Sequence, residues 1–161
     1  MNSTNRLARI SLLTTFVLIG IGGFTRGSGS GYGCSDRWPL CEDGLLGGLL
    51  PRGEYHMVVE WLHRWVAAIV GILILSTAIS IRKNFRNNQT ALKLSFAAVV
   101  AVVVQALIGR GVVKADLDSD LVAIHLAISM VVIALLAVIA VLVSTNKNEN
   151  LKATDTTGWS R

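Results

Sequence analysis

The chain has 161 residues, 52% of them hydrophobic and only 16% charged, with a mean hydropathy of +0.57. It is too apolar for an ordinary soluble domain, and its length allows a single domain with the bilayer as solvent. The net charge of +5 does not point to nucleic acid, because the basic residues are sorted by loop.

A helix that crosses the hydrocarbon core needs about 20 mostly apolar residues. Four windows meet that requirement: residues 7–25, 57–81, 91–113 and 121–144. The expected fold is an all-α integral membrane protein, a four-transmembrane-helix bundle over residues 1–144 followed by a polar tail, 145–161. Arg6 and Arg9 precede the first apolar run as in a secretory signal, but no small-x-small cleavage site follows and three further spans do, so a retained helix is expected.

Between the first two spans lies a long, glycine-rich loop, residues 26–56, "RGSGSGYGCSDRWPLCEDGLLGGLLPRGEYH". Structureless loops of this length tend to be functional or disordered. It holds the only cysteines, Cys34 and Cys41. They could be free thiols, a structural staple around Trp38 and Pro39, or a pair cycling between dithiol and disulfide.

The second span opens with "EWLHR", in which Glu60, His63 and Arg64 fall at the mouth of an apolar segment. Arg82, Lys83, Arg86 and Lys93 lie in or beside the turn that follows and join Arg6, Arg9, Lys147, Lys152 and Arg161 on one side, against Glu149 and Asp155. The other side carries Asp36, Glu42, Asp43, Glu54, Asp116, Asp118 and Asp120. The positive-inside rule therefore predicts cytoplasmic termini, a multi-pass protein of the cell (plasma) membrane, and a cysteine loop on the outer face. The third span carries Gln105, a packing hydrogen bond by default. The fourth carries His125.

The two intramembrane histidines share a depth. His63 lies about 9 Å and His125 about 8 Å along their helices from the outer boundary at ~1.5 Å per residue. Two neutral imidazoles facing each other across a bundle suit heme, whereas zinc commonly wants three or four protein ligands. The bland alternative is that each histidine is a polar contact between helices. Glu60, one turn before His63, would act as a general base or proton acceptor, or else pair with Arg64. Arg64, Arg26 and Arg110 lie near the outer boundary, where they would hold heme propionates or anchor the helices at the interface. His56 stands in the interfacial loop. The first span ends "GGFTRG" and the third "IGRGVVK", while the second and fourth each carry a histidine near their outer start, a weak internal symmetry. Gly20, Gly22, Gly23, Ala97 and Ala101 would allow close helix approach.

"GGFTRGSGSGYGCSDRWPLC", then "YHMVVEWLHR", then the histidine of "LVAIHLAIS" resemble the heme A synthase family, most specifically over residues 20–70. The resemblance implies an enzyme that oxidises a pyrrole methyl of heme O to a formyl group by two hydroxylations, yielding heme A for terminal oxidases. His63 and His125 would ligate heme iron, Glu60 would be the catalytic residue, and Cys34 and Cys41 would form a disulfide. The cofactor would be heme B, heme O or heme A. The substrate would be heme O, the surroundings membrane lipid and the electron acceptor unidentified, with a heme O synthase or oxidase-assembly proteins as candidate partners. Many members have eight helices in two halves. This chain matches one half, so a homo-oligomer of self-sufficient bundles is expected. A b-type membrane cytochrome, a heme carrier and a heme-free structural protein would share parts of this pattern.

Overall fold

The computed structural model describes residues 3–35, 37–41 and 53–157, with side chains to residue 145. Four helices account for most of them: α1 (Ser3–Gly27), α2 (Tyr55–Asn84), α3 (Gln89–Lys114) and α4 (Ser119–Thr157). A single 3-10 turn, Ser30–Tyr32, follows α1. Each helix has a stretch long and apolar enough to cross a membrane, and the protein is an all-helical membrane protein among the described residues. Asp36, Glu42 and Asp43, expected to make the long loop acidic, and the end of the tail, 158–161, lie outside the described residues.

The helices run a few residues past their apolar windows, and polar residues cap the starts of α3 and α4. Asn88 accepts a hydrogen bond through Oδ1 from the Ala91 amide at 3.0 Å and starts α3. Asp118 does the same for α4, taking the Asp120 and Leu121 amides at 3.1 Å. The α3–α4 turn passes through two left-handed residues, Asp116 (φ 51) and Leu117 (φ 62). The second is uncommon for an apolar side chain. It aims Leu117 at the 3-10 turn, where a Cβ on Gly31 would meet its Cδ2 at 3.1 Å. α4 continues beyond the expected end of its span at 144 to Thr157. Lys, Glu and Leu propagate a helix readily once one is started, whatever the solvent.

Packing follows a ring: α1 touches α2 and α4, and α3 touches α2 and α4. α2 and α4 therefore stand on one diagonal, α1 and α3 on the other. The buried apolar core is Ala8, Val70, Ile74, Ile81, Ala91, Ala98, Val132, Leu136, Ile139, Ala140 and Val143. All of it lies toward the termini and the α2–α3 turn. Here α1 is also tied by side chains, Ser11 to Thr77 (2.9 Å) and Thr4 to Ser80 (2.7 Å) on α2, and Asn5 to Ser144 (3.1 Å) on α4. Such bonds matter because lipid tails are as apolar as leucine and give helices no hydrophobic reason to associate.

Candidate functional site

The other half of the bundle, toward the long loop, holds the chemistry. His63 on α2 and His125 on α4 are half-buried there, on opposite corners of the ring and within electrostatic reach of each other. Nδ1 of each is buried without a hydrogen-bond partner among the described residues. Leaving a polar atom in that condition costs roughly 1–3 kcal/mol. Gln105 on α3 donates to the His125 backbone carbonyl at 2.8 Å, tying α3 to α4, while its Oε1 is likewise buried and unpartnered. Each imidazole leans on a glycine of the preceding helix. A Cβ on Gly22 would lie 3.1 Å from Cε1 of His63, and one on Gly109 would lie 3.0 Å from Cε1 of His125.

Glu60 is 3% exposed, and both of its oxygens are engaged. Oε1 pairs with the Arg64 guanidinium one turn on, and Oε2 accepts the backbone amide of Cys34 at 2.7 Å. Arg64 also donates to the Arg37 carbonyl at 2.7 Å and more weakly to that of Pro39 at 3.4 Å. Cys34 and Cys41 form a disulfide, and both are buried. The "EWLHR" segment is therefore the seat of the cysteine loop. Trp38, in the same loop, reaches α3, where the Arg110 guanidinium stands 5.2 Å from its ring centre, within cation–π range. The loop thus links two neighbouring corners of the bundle at the histidine end.

Two further contacts hold the first turn of α2, which includes His56, expected in the loop before it. Ser30 Oγ lies 2.9 Å from His56 Nδ1, and Gly33 packs so tightly on the His56 carbonyl that a side chain there would collide with backbone. Arg26, expected near the outer boundary, is exposed at the end of α1, with no side-chain partner among the described residues.

Residues 50–161 match the family model COX15-CtaA, described as cytochrome oxidase assembly protein. The chain belongs to the COX15-CtaA family. Its relatives include the heme A synthase of Bacillus licheniformis, 33% identical over 85% of this chain and 45% of that protein. That of Alkalihalophilus pseudofirmus is 32% identical over 92% of this chain and 50% of the relative. A Staphylococcus epidermidis heme A synthase is 34% identical over 75% and 39%. The chain spans about half the length of the curated relatives it matches.

For a COX15-CtaA member read from sequence alone, the histidine pair and Glu60 stand out because ionisable groups are rare in a membrane. The partners of Glu60 across the loop do not, since a glycine-rich stretch without periodicity fixes no register against a helix. Trp38 on Arg110 and Leu117 on Gly31 escape notice for the same reason. Gly22 and Gly109 are visible as small residues, but spacing does not say that each faces an imidazole.

Proposed function

We propose that this chain converts heme O to heme A in a cell membrane, with His63 and His125 as heme ligands and Glu60 as the catalytic carboxylate. The observation that carries the reading is the pair of imidazoles on diagonal helices, each with a buried Nδ1 that finds no partner among the described residues. They lie in the half of the bundle outside the apolar core. The donor set suits heme. Two imidazoles are available, and the described residues contain no group of three or more His, Cys, Asp or Glu able to hold a bare metal ion. The glycines beside the rings leave room a Cβ would fill. A resident heme would supply electron transfer, and the relatives' name, heme A synthase, supports heme A as the product.

The reaction adds water oxygen to carbon twice. A methyl group and water give a hydroxymethyl group, two protons and two electrons. A second round gives a gem-diol, which loses water to leave the aldehyde. The electrons pass to an external acceptor. Glu60 would stabilise positive charge at the reacting carbon or take a released proton. Arg64 orients that carboxylate, and the cysteine loop closes over both. Arg64 is committed to Glu60 and to two loop carbonyls, so a propionate would compete with those bonds, whereas Arg26, without a side-chain partner among the described residues, would meet one without that loss. The reading places the termini in the cytoplasm and the cysteine loop outside. It also has copies of the chain assembled in the membrane, which the mass of the detergent-solubilised complex would test.

One observation favours a second reading, a b-type cytochrome or heme carrier: Glu60 is fully satisfied by structural partners. The deciding experiment is expression with a heme O source, followed by extraction and chromatographic identification of the hemes. Heme A or its hydroxylated intermediate supports the synthase; heme B alone with a bis-imidazole spectrum supports the second reading. A colourless protein would defeat both.

A further inference from the structure

We infer that Gly22 and Gly109 are positioning residues, each fixing the orientation of the imidazole beside it. The inference rests on His63 and His125 being heme ligands. The two contacts are nearly the same. A Cβ on Gly22 would lie 3.1, 3.6 and 3.9 Å from Cε1, Nδ1 and Nε2 of His63, and one on Gly109 would lie 3.0, 3.7 and 3.8 Å from the same atoms of His125. In each case the helix before the histidine presents bare backbone to the ring edge between its nitrogens. Carbon atoms rest at about 3.5–4.0 Å, so a methyl at either place would push the ring aside.

Helix packing in general does not account for these two glycines. Gly20 and Gly23 sit on the same helix as Gly22, and Gly111 on the same helix as Gly109, yet a Cβ on any of them would meet nothing within 4 Å. The same is true of Gly71 on α2. Glycine weakens a helix interior relative to alanine. At the open positions nothing local offsets that weakness, whereas at Gly22 and Gly109 the imidazole does. An imidazole that takes no hydrogen bond through Nδ1 among the described residues lacks the usual means by which a metal-ligating histidine is held in plane. Steric confinement by the glycine backbone takes its place. The arrangement repeats about the bundle axis, α1 serving α2 as α3 serves α4, so the two rings are set relative to each other as well as singly.

The test uses the full chain in detergent, loaded with hemin, and compares Gly22→Ala and Gly109→Ala with Gly20→Ala, Gly71→Ala and Gly111→Ala. The low-spin electron paramagnetic resonance signal of a bis-imidazole heme reports the angle between the two ring planes. Expected is a shifted signal and a loss of hemin affinity of about tenfold or more in the first pair, with neither change in the other three. Wild-type signals and affinity in Gly22→Ala and Gly109→Ala would overturn the inference while leaving the heme ligands in place. A wild-type protein without a bis-imidazole signal would overturn the ligand assignment, and the inference with it. If either alanine variant does not fold, Gly22→Ala/His63→Ala and Gly109→Ala/His125→Ala decide. Recovery of folding on removing the ring identifies the imidazole as the obstacle and supports the inference, and continued failure places the fault in helix packing and overturns it.

Discussion

A carboxylate buried among apolar helices needs a partner for each oxygen, and Glu60 has one on each side: Arg64 from its own helix and the Cys34 amide from the loop. Glu60→Ala would leave the guanidinium and the amide without their acceptor, at a cost of about 1–3 kcal/mol for a buried group. It would leave both imidazoles in place. The expected outcome is a protein that still binds heme with an unchanged spectrum while heme A formation collapses; wild-type product yields would remove Glu60 from the chemistry. Truncating a proposed ligand is expected to do the reverse. His63→Ala or His125→Ala should lose the bis-imidazole spectrum outright, and a spectrum unchanged in both would refute the ligand assignment. At this scale the sequence is legible where one helix carries the whole interaction: Glu60 and Arg64 are four apart, and that spacing alone brings them together. It is illegible where the partner comes from elsewhere. Nothing in "GYGCSD" states that the Cys34 amide ends on Glu60, nor does "GIGGF" state which glycine faces His63.

Among elements, α1 is the least apolar in its packing. It meets α2 through Ser11–Thr77 and Thr4–Ser80, with Asn84 adding a bond to Thr4 at 3.0 Å. In lipid these hydroxyl pairs are worth only about 0.6 kcal/mol each, because unassociated helices also satisfy their hydroxyls. A double-mutant cycle of Ser11→Val and Thr77→Val, read by unfolding in mixed micelles, should give a coupling of about that size. A coupling near zero would mean that the Ser11–Thr77 bond adds nothing net to the hold of α1 on α2. The cysteine loop behaves as an element too, because Glu60, Arg64 and Arg110 fasten it on two corners of the bundle. Arg64→Ala should therefore expose the disulfide, and the rate of its reduction by a small thiol should rise several-fold without loss of helix content. An unchanged rate would show that the loop keeps its place without that guanidinium. The four helices were legible from apolar run length alone. Their ends were less so, because Asn88, Asp118 and a helix-competent stretch beyond residue 144 carry the backbone past the apolar windows.

The whole molecule divides along its long axis. Apolar core fills the half at the termini, and histidines, Glu60 and the cysteine loop occupy the other. Sequence depth places His63 and His125 at one level, yet only the ring order of the helices shows that they share a diagonal, since pairing among four helices leaves no periodic trace. Which half faces out is proposed from charge. The α2–α3 turn and its flanks carry Arg82, Lys83, Arg86 and Lys93, while the α3–α4 turn carries Asp116, Asp118 and Asp120. A bilayer-inserting chain retains its basic turns on the cytoplasmic side. The prediction can be checked without altering the native cysteines, because both are in the disulfide and no free thiol competes. Asn87→Cys and Ser119→Cys each place one thiol at an exposed position on opposite ends of the bundle. In intact cells a membrane-impermeant maleimide should label Ser119→Cys, and should label Asn87→Cys only after permeabilisation. The reverse pattern would put the cysteine loop in the cytoplasm, where reducing conditions oppose a disulfide. The Cys34–Cys41 bond and the charge distribution are thus two independent arguments for the same orientation, and one labelling experiment tests both.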